Sequence, residues 1–66
     1  MLSARNQFKG TIKSVKLGQI MAEVVIEVAG LEFVSLISRG SAERMNLKDG
    51  DEAAAVIKAT EVMVDK

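Results

Sequence analysis

Apolar and polar residues alternate along most of this chain, and the breaks in the alternation mark out its elements. From Gln7 onward, Phe8, Gly10 and Ile12 lie on one side and Lys9, Thr11 and Lys13 on the other, after which Val15 and Leu17 fall on the opposite parity. A strand over 7–17 with a bulge or a strong bend near Lys13-Ser14 accounts for that switch; a bulge does so because one extra residue turns every later side chain to the other face. Gly10 within it marks a place where another backbone comes close. Gly18-Gln19 reads as a turn. Ile20, Ala22, Val24, Ile26 and Val28 then form a period-2 apolar face opposite Glu23 and Glu27, which predicts a half-buried second strand. Ala29-Gly30 supplies a hairpin turn in which Gly30 takes positive φ.

Residues 31–38 read as a third strand with apolar residues on both faces, Leu31, Phe33 and Ile37 on one and Val34 and Leu36 on the other. Such a strand is either covered on both sides by other chains or sits in a crowded sheet centre. The helix candidate is 41–47, with Ser41 as N-cap, Glu43 in the first turn, and Met45 and Leu47 turned inward. Lys48-Asp49-Gly50-Asp51 has turn composition, with Gly50 at the left-handed position. Two further strands follow, 52–58 and 62–64, separated by a break at Ala59-Thr60, and the small Ala53, Ala54 and Ala55 predict tight packing there. The order predicts an all-β fold: a small five-stranded OB-like Greek-key barrel with one short helix between strands 3 and 4, forming a single domain over 1–66.

Composition adds a reason to expect partners. A 66-residue chain buries too little surface to be more than marginally stable alone. It has no Cys and no His, so disulfides and the best zinc ligands are missing, and association is the remaining compensation. Nine basic residues balance nine acidic ones, which argues against a general nucleic-acid binder, although Arg5, Lys9, Lys13 and Lys16 all precede the first acid, Glu23. No apolar run approaches the roughly 20 residues of a membrane span, and the N-terminus lacks a signal-peptide plan. A cytoplasmic protein is expected.

Catalysis has few available players. Without His, Cys or Tyr, acid–base work falls to Lys and carboxylates and nucleophilic work to Ser or Thr, in a barrel too small to desolvate a lysine, so no enzyme is expected. Asp49, Asp51 and Glu52 cluster, but Asp-Gly-Asp is ordinary turn chemistry, so no bare metal cation is expected. An alternative is a small assembly module or a single-stranded nucleic-acid-binding module of OB type. Against it, the two aromatic residues, Phe8 and Phe33, both lie in core-like patterns and are not free to stack bases.

Hydrogen-bond donors are what the chain does supply. Ser3, Arg5 and Asn6 stand at one strand end and Lys58, Ala59 and Thr60 at another, while Ser38 and Ser41 flank the helix start. Hydroxyls, a guanidinium fork, an ammonium and turn N–H groups make a pocket of donors. Such a pocket suits a bare tetrahedral dianion such as molybdate, tungstate or sulfate. Phosphate fits it badly, because its proton would meet only donors. The two strand-end clusters are expected to meet across subunits.

Three motifs carry a resemblance: Ser3-Ala4-Arg5-Asn6-Gln7, the run Leu47-Lys48-Asp49-Gly50-Asp51-Glu52, and Val56-Ile57-Lys58-Ala59-Thr60-Glu61-Val62-Met63. Over essentially its whole length the chain resembles the molbindins, or molybdenum-pterin-binding proteins. The same domain recurs in molybdate-responsive regulators and molybdate transporter ATPases. The resemblance implies a cytoplasmic hexamer, a trimer of dimers, that stores molybdate or tungstate between subunits. By motif match it assigns oxyanion binding to Ser3, Arg5, Asn6, Ser38, Ser41, Lys58, Ala59 and Thr60. It implies no organic cofactor; the pterin of the family name would need free aromatics to stack on. A departure is Arg39-Gly40, where the family pattern has an apolar residue followed by an acid, and Gly40 is expected to loosen the segment that carries Ser41.

Overall fold

The computed structural model describes residues 2–66. Four antiparallel strands, β1 (Asn6–Leu17), β2 (Met21–Val28), β3 (Leu31–Ser38) and β4 (Glu52–Ile57), form one sheet in the order β3-β2-β1-β4. A helix, α1 (Arg39–Arg44), joins β3 to β4, and a single turn of 3-10 helix, Ala59–Glu61, follows β4. The long first strand serves two partners. Its first half pairs with β4, from Asn6↔Ile57 to Thr11↔Glu52, and its second half pairs with β2, from Thr11↔Glu27 to Leu17↔Ala22.

The change of partner coincides with the expected bulge. The register slips between Ile12 and Ser14, leaving Lys13 as the extra residue. Ile12 N–H donates to Asp51 O at 2.9 Å and Gly50 N–H donates to Ile12 O at 2.8 Å, so the turn before β4 is fastened to the same spot. The strongly bent β1 curls the sheet. Gly10 is required for that curl: a Cβ there would lie 2.1 Å from the carbonyl oxygen of Glu27. At the bulge Lys13 forms an ion pair with Glu32. That bond and charge hold the Lys13 ammonium above its usual pKa. The pairing relieves a like-charge contact, since Glu27 and Glu32 face each other across β2 and β3.

Ile12, Val24, Ile26 and Ala55 form the core, with Val15, Val28, Phe33, Ile37, Leu47 and Ala53 packed against it. Ala22 is also buried, as the period-2 pattern of β2 predicts, while Ile20 lies outside the strand and is exposed. The β2–β3 connection is a two-residue hairpin in which both Ala29 (φ 49°) and Gly30 (φ 83°) are left-handed, the geometry that matches strand twist.

Three sequence expectations are corrected. The helix begins earlier than expected, with Ser38 and not Ser41 as N-cap: Ser38 Oγ accepts from Ser41 N–H at 3.1 Å. Glu43 therefore falls beyond the first turn and pairs with Arg39 one turn back, at 3.5 Å. The helix also stops earlier, because Asn46 is left-handed (φ 51°). Asn46 N–H then donates to Glu43 O and Leu47 N–H to Ala42 O, closing a Schellman motif. Ala42 is the buried residue of α1, Leu47 packs on the core, and Met45 is exposed.

The second concerns β3: of the two readings of its apolar faces the sheet centre is excluded, because β3 is an edge strand. Its outer residues Val34 and Leu36 are about two-thirds exposed. The third concerns the fifth strand. Residues 62–64 are extended at Val62 but pair with no strand, and Met63 and Val64 are over 90% exposed. Alternation at 62–64 is real, but among the described residues no strand lies alongside to bond it. The barrel is left open between its two edge strands, by a cleft lined with Ile26, Phe33, Ser35, Ala55, Ile57 and Glu61.

Candidate functional site

The antiparallel β1–β4 ladder begins at Asn6↔Ile57, which makes Arg5 and Lys58 the next residues outward on the two strands. The N-terminal and C-terminal donor clusters therefore lie at the same end of the sheet within one chain. Below Arg5 the chain turns, with Gln7 N–H donating to Arg5 O at 3.0 Å and Gln7 Nε2 to Ala4 O at 2.6 Å. These bonds hold the short lead-in from Ser3 to Asn6 against the strand end. On the other side Lys58 caps the 3-10 turn with its backbone; Glu61 N–H donates to Lys58 O at 2.8 Å. That arrangement leaves the N–H groups of Ala59 and Thr60 without an acceptor inside the turn.

Arg5 and Lys58 are both exposed, and neither has an ion-pair partner among the described residues. Two cations on adjoining strand ends repel one another. Exposure makes that repulsion tolerable, and a dianion between the two would reverse its sign. Asn6 is half-buried at the start of the ladder, and Ser3 and Thr60 are exposed.

Ser38 and Ser41 lie elsewhere. Ser38 pairs with Met21 at the far end of β2, beside the Leu17 end of β1, whereas Arg5 adjoins the Asn6 end of the same 12-residue strand. One chain thus places Arg5 and Lys58, with their sequence neighbours, at one end of the β1–β4 ladder and the two serines at the other end of β1. The serine end is well fixed. Arg39 ties it to the β1–β2 turn through Arg39 N–H to Ile20 O (2.7 Å) and Nη1 to Gly18 O (3.2 Å). Gly40 sits inside α1, and Ser41 is bonded to the Ser38 cap.

A residue missed by sequence reasoning also belongs to this end. Arg44 Nη2 donates to Ser41 Oγ at 3.2 Å, and Arg44 forms no ion pair among the described residues. Its spacing of three from Ser41 was the available signal, since such residues share a helix face. The aromatics are partly as expected. Phe33 packs on the core, but Phe8 is 39% exposed, and the two rings stack on one another at 5.4 Å and 13°. Asp51 serves the turn, its Oδ2 accepting from Lys48 N–H at 3.0 Å.

Fold and site together define a small OB-like all-β domain with donor-rich strand ends. The TOBE domain matches residues 2–64. Molybdenum-pterin-binding protein 3 of Clostridium pasteurianum is 52% identical over 64 residues, covering 96% of this chain and 94% of its own length. Among solved structures, MopII from the same organism (apo2) superposes with a TM-score of 0.94 at 45% identity, over the full length of both chains. A molybdate-binding protein from Sporomusa ovata gives 0.95 at 36% identity, covering 100% of this chain and 98% of its own. The chain belongs to the TOBE domain family, among its molybdenum-pterin-binding, or molbindin, members.

Proposed function

We propose that residues 1–66 act as a single non-enzymatic domain that binds molybdate and tungstate and stores them in the cytoplasm, at interfaces of a homo-oligomer, a hexamer built as a trimer of dimers. The observation that carries the reading is the coincidence of two facts. Relatives named for molybdenum or molybdate binding match almost the whole chain, and the corner where β1 begins and β4 ends holds two cations with no carboxylate paired to them among the described residues. The ligand donors are Ser3, Arg5, Asn6, Lys58, Ala59 and Thr60 of one copy, with Ser41 supplied by another and Ser38 behind it, its hydroxyl proton committed to Ser41 Oγ.

Three features support assembly. The serines stand at the opposite end of β1 from the cations, so serines and cations converge only if a second chain contributes. The edge strand β3 exposes Val34 and Leu36, and an apolar edge of this kind invites pairing with another chain. The unpaired segment Val62–Val64 offers a further strand to a neighbour.

The chemistry follows from the donor set. Arg5 and Lys58 supply charge-assisted hydrogen bonds, and the free N–H groups of the 3-10 turn add neutral ones. A bare dianion satisfies every donor. Titration calorimetry with molybdate tests the reading. We expect Arg5→Ala and Lys58→Ala each to weaken binding about tenfold or more, with the oligomer intact by size. Unchanged affinity in both would remove them from the site.

A further inference from the structure

Ser41 differs from the other hydroxyls of the site in having its acceptor capacity already used. A serine hydroxyl has one proton and two lone pairs. Ser38 Oγ donates to Ser41 Oγ at 2.8 Å, and Arg44 Nη2 donates to the same oxygen at 3.2 Å. Both lone pairs are occupied, so the Ser41 proton is the only group left to offer outward. Ser38 is held in turn, because its oxygen accepts from Ser41 N–H at 3.1 Å. Arg44 is otherwise uncommitted among the described residues, whereas the neighbouring Arg39 is engaged with Glu43. The bond from Arg44 to Ser41 is thus not a by-product of a salt bridge.

We infer that Arg44 is a specificity-determining residue: by filling the second lone pair of Ser41 it makes that hydroxyl a donor only, and so helps the site refuse oxyanions that carry a proton. This rests on the proposed role of Ser41 as an oxyanion donor. Without Arg44, Ser41 Oγ has a free lone pair and can accept the proton of hydrogen phosphate. With Arg44 in place, that proton meets no acceptor on Ser41, and an unmet polar group is costly wherever the proposed interface excludes water. Molybdate and sulfate carry no proton at neutral pH and are indifferent to the lone pair. Arg44 is therefore a positioning residue that acts through Ser41.

The test compares three anions. Competition titrations at neutral pH give the relative affinities of molybdate, sulfate and phosphate for the parent, Arg44→Met, Ser41→Ala and the double variant. In Arg44→Met, the phosphate-to-molybdate affinity ratio is expected to rise about tenfold while the sulfate-to-molybdate ratio stays constant. In the Ser41→Ala background the Arg44 change should leave both ratios unmoved, because the oxygen through which it acts is gone. Loss of a cation alone would lower all three affinities together, and that result would overturn the inference. A phosphate shift of the same size in the Ser41→Ala background would overturn it as well. Failure of the parent to bind molybdate would instead refute the proposed function.

Discussion

Gly10 is the residue on which the curvature of the sheet depends. A methyl group there would overlap the Glu27 carbonyl, and a backbone oxygen held in a ladder cannot swing away as a side chain can. Gly10→Ala should therefore cost about 3 kcal/mol, at the upper end of overpacking penalties. The shift of the urea midpoint measures it, and a change below about 0.5 kcal/mol would show that the strands can separate there without loss. The sequence hinted at this constraint, since a glycine in an otherwise β-rich run implies a near neighbour. It was silent about Ser38. Two serines three apart can each cap a helix, and only the backbone path of β3 into α1 decides that Ser38 caps and Ser41 receives. Arg44 was equally hidden, because an arginine on an exposed helix face reads as solvated until its partner is seen.

Among the elements, β1 was legible in detail. The parity switch after Ile12 called for a bulge or a strong bend, and the register slip of a bulge lies there. The β2–β3 hairpin was legible as a turn but not in its strain. Ala29 is held at φ 49°, where a β-carbon crowds the following carbonyl, and Asn tolerates that region far better. Ala29→Asn should therefore stabilise the protein by about 0.5–1 kcal/mol, visible as a raised denaturation midpoint with an unchanged slope. A lower midpoint would mean that the turn gains nothing from a residue suited to I′ geometry. The fifth strand illustrates the limit of periodicity. Alternation over 62–64 records that one face wants burial, but it cannot say which chain provides the cover, and among the described residues this one does not.

At the scale of the molecule, the donor clusters are arranged by pairing more than by proximity in sequence. Arg5 and Lys58, 53 positions apart, become neighbours because β1 and β4 run antiparallel with Asn6 opposite Ile57. That adjacency could not be read from the sequence, which gives the two strands without their register. The serines are separated from that corner by the length of the same strand, so the proposed interface is the one that would join the serine end of one copy to the cation corner of another. The apolar edge at Val34 and Leu36 and the bare tail at Met63 and Val64 point the same way. Native mass spectrometry with and without molybdate tests this arrangement most directly, because it counts chains and ligands in one spectrum. The account predicts six copies, with molybdate retained by the assembly and never by a single chain. A lone chain that holds the oxyanion would contradict it.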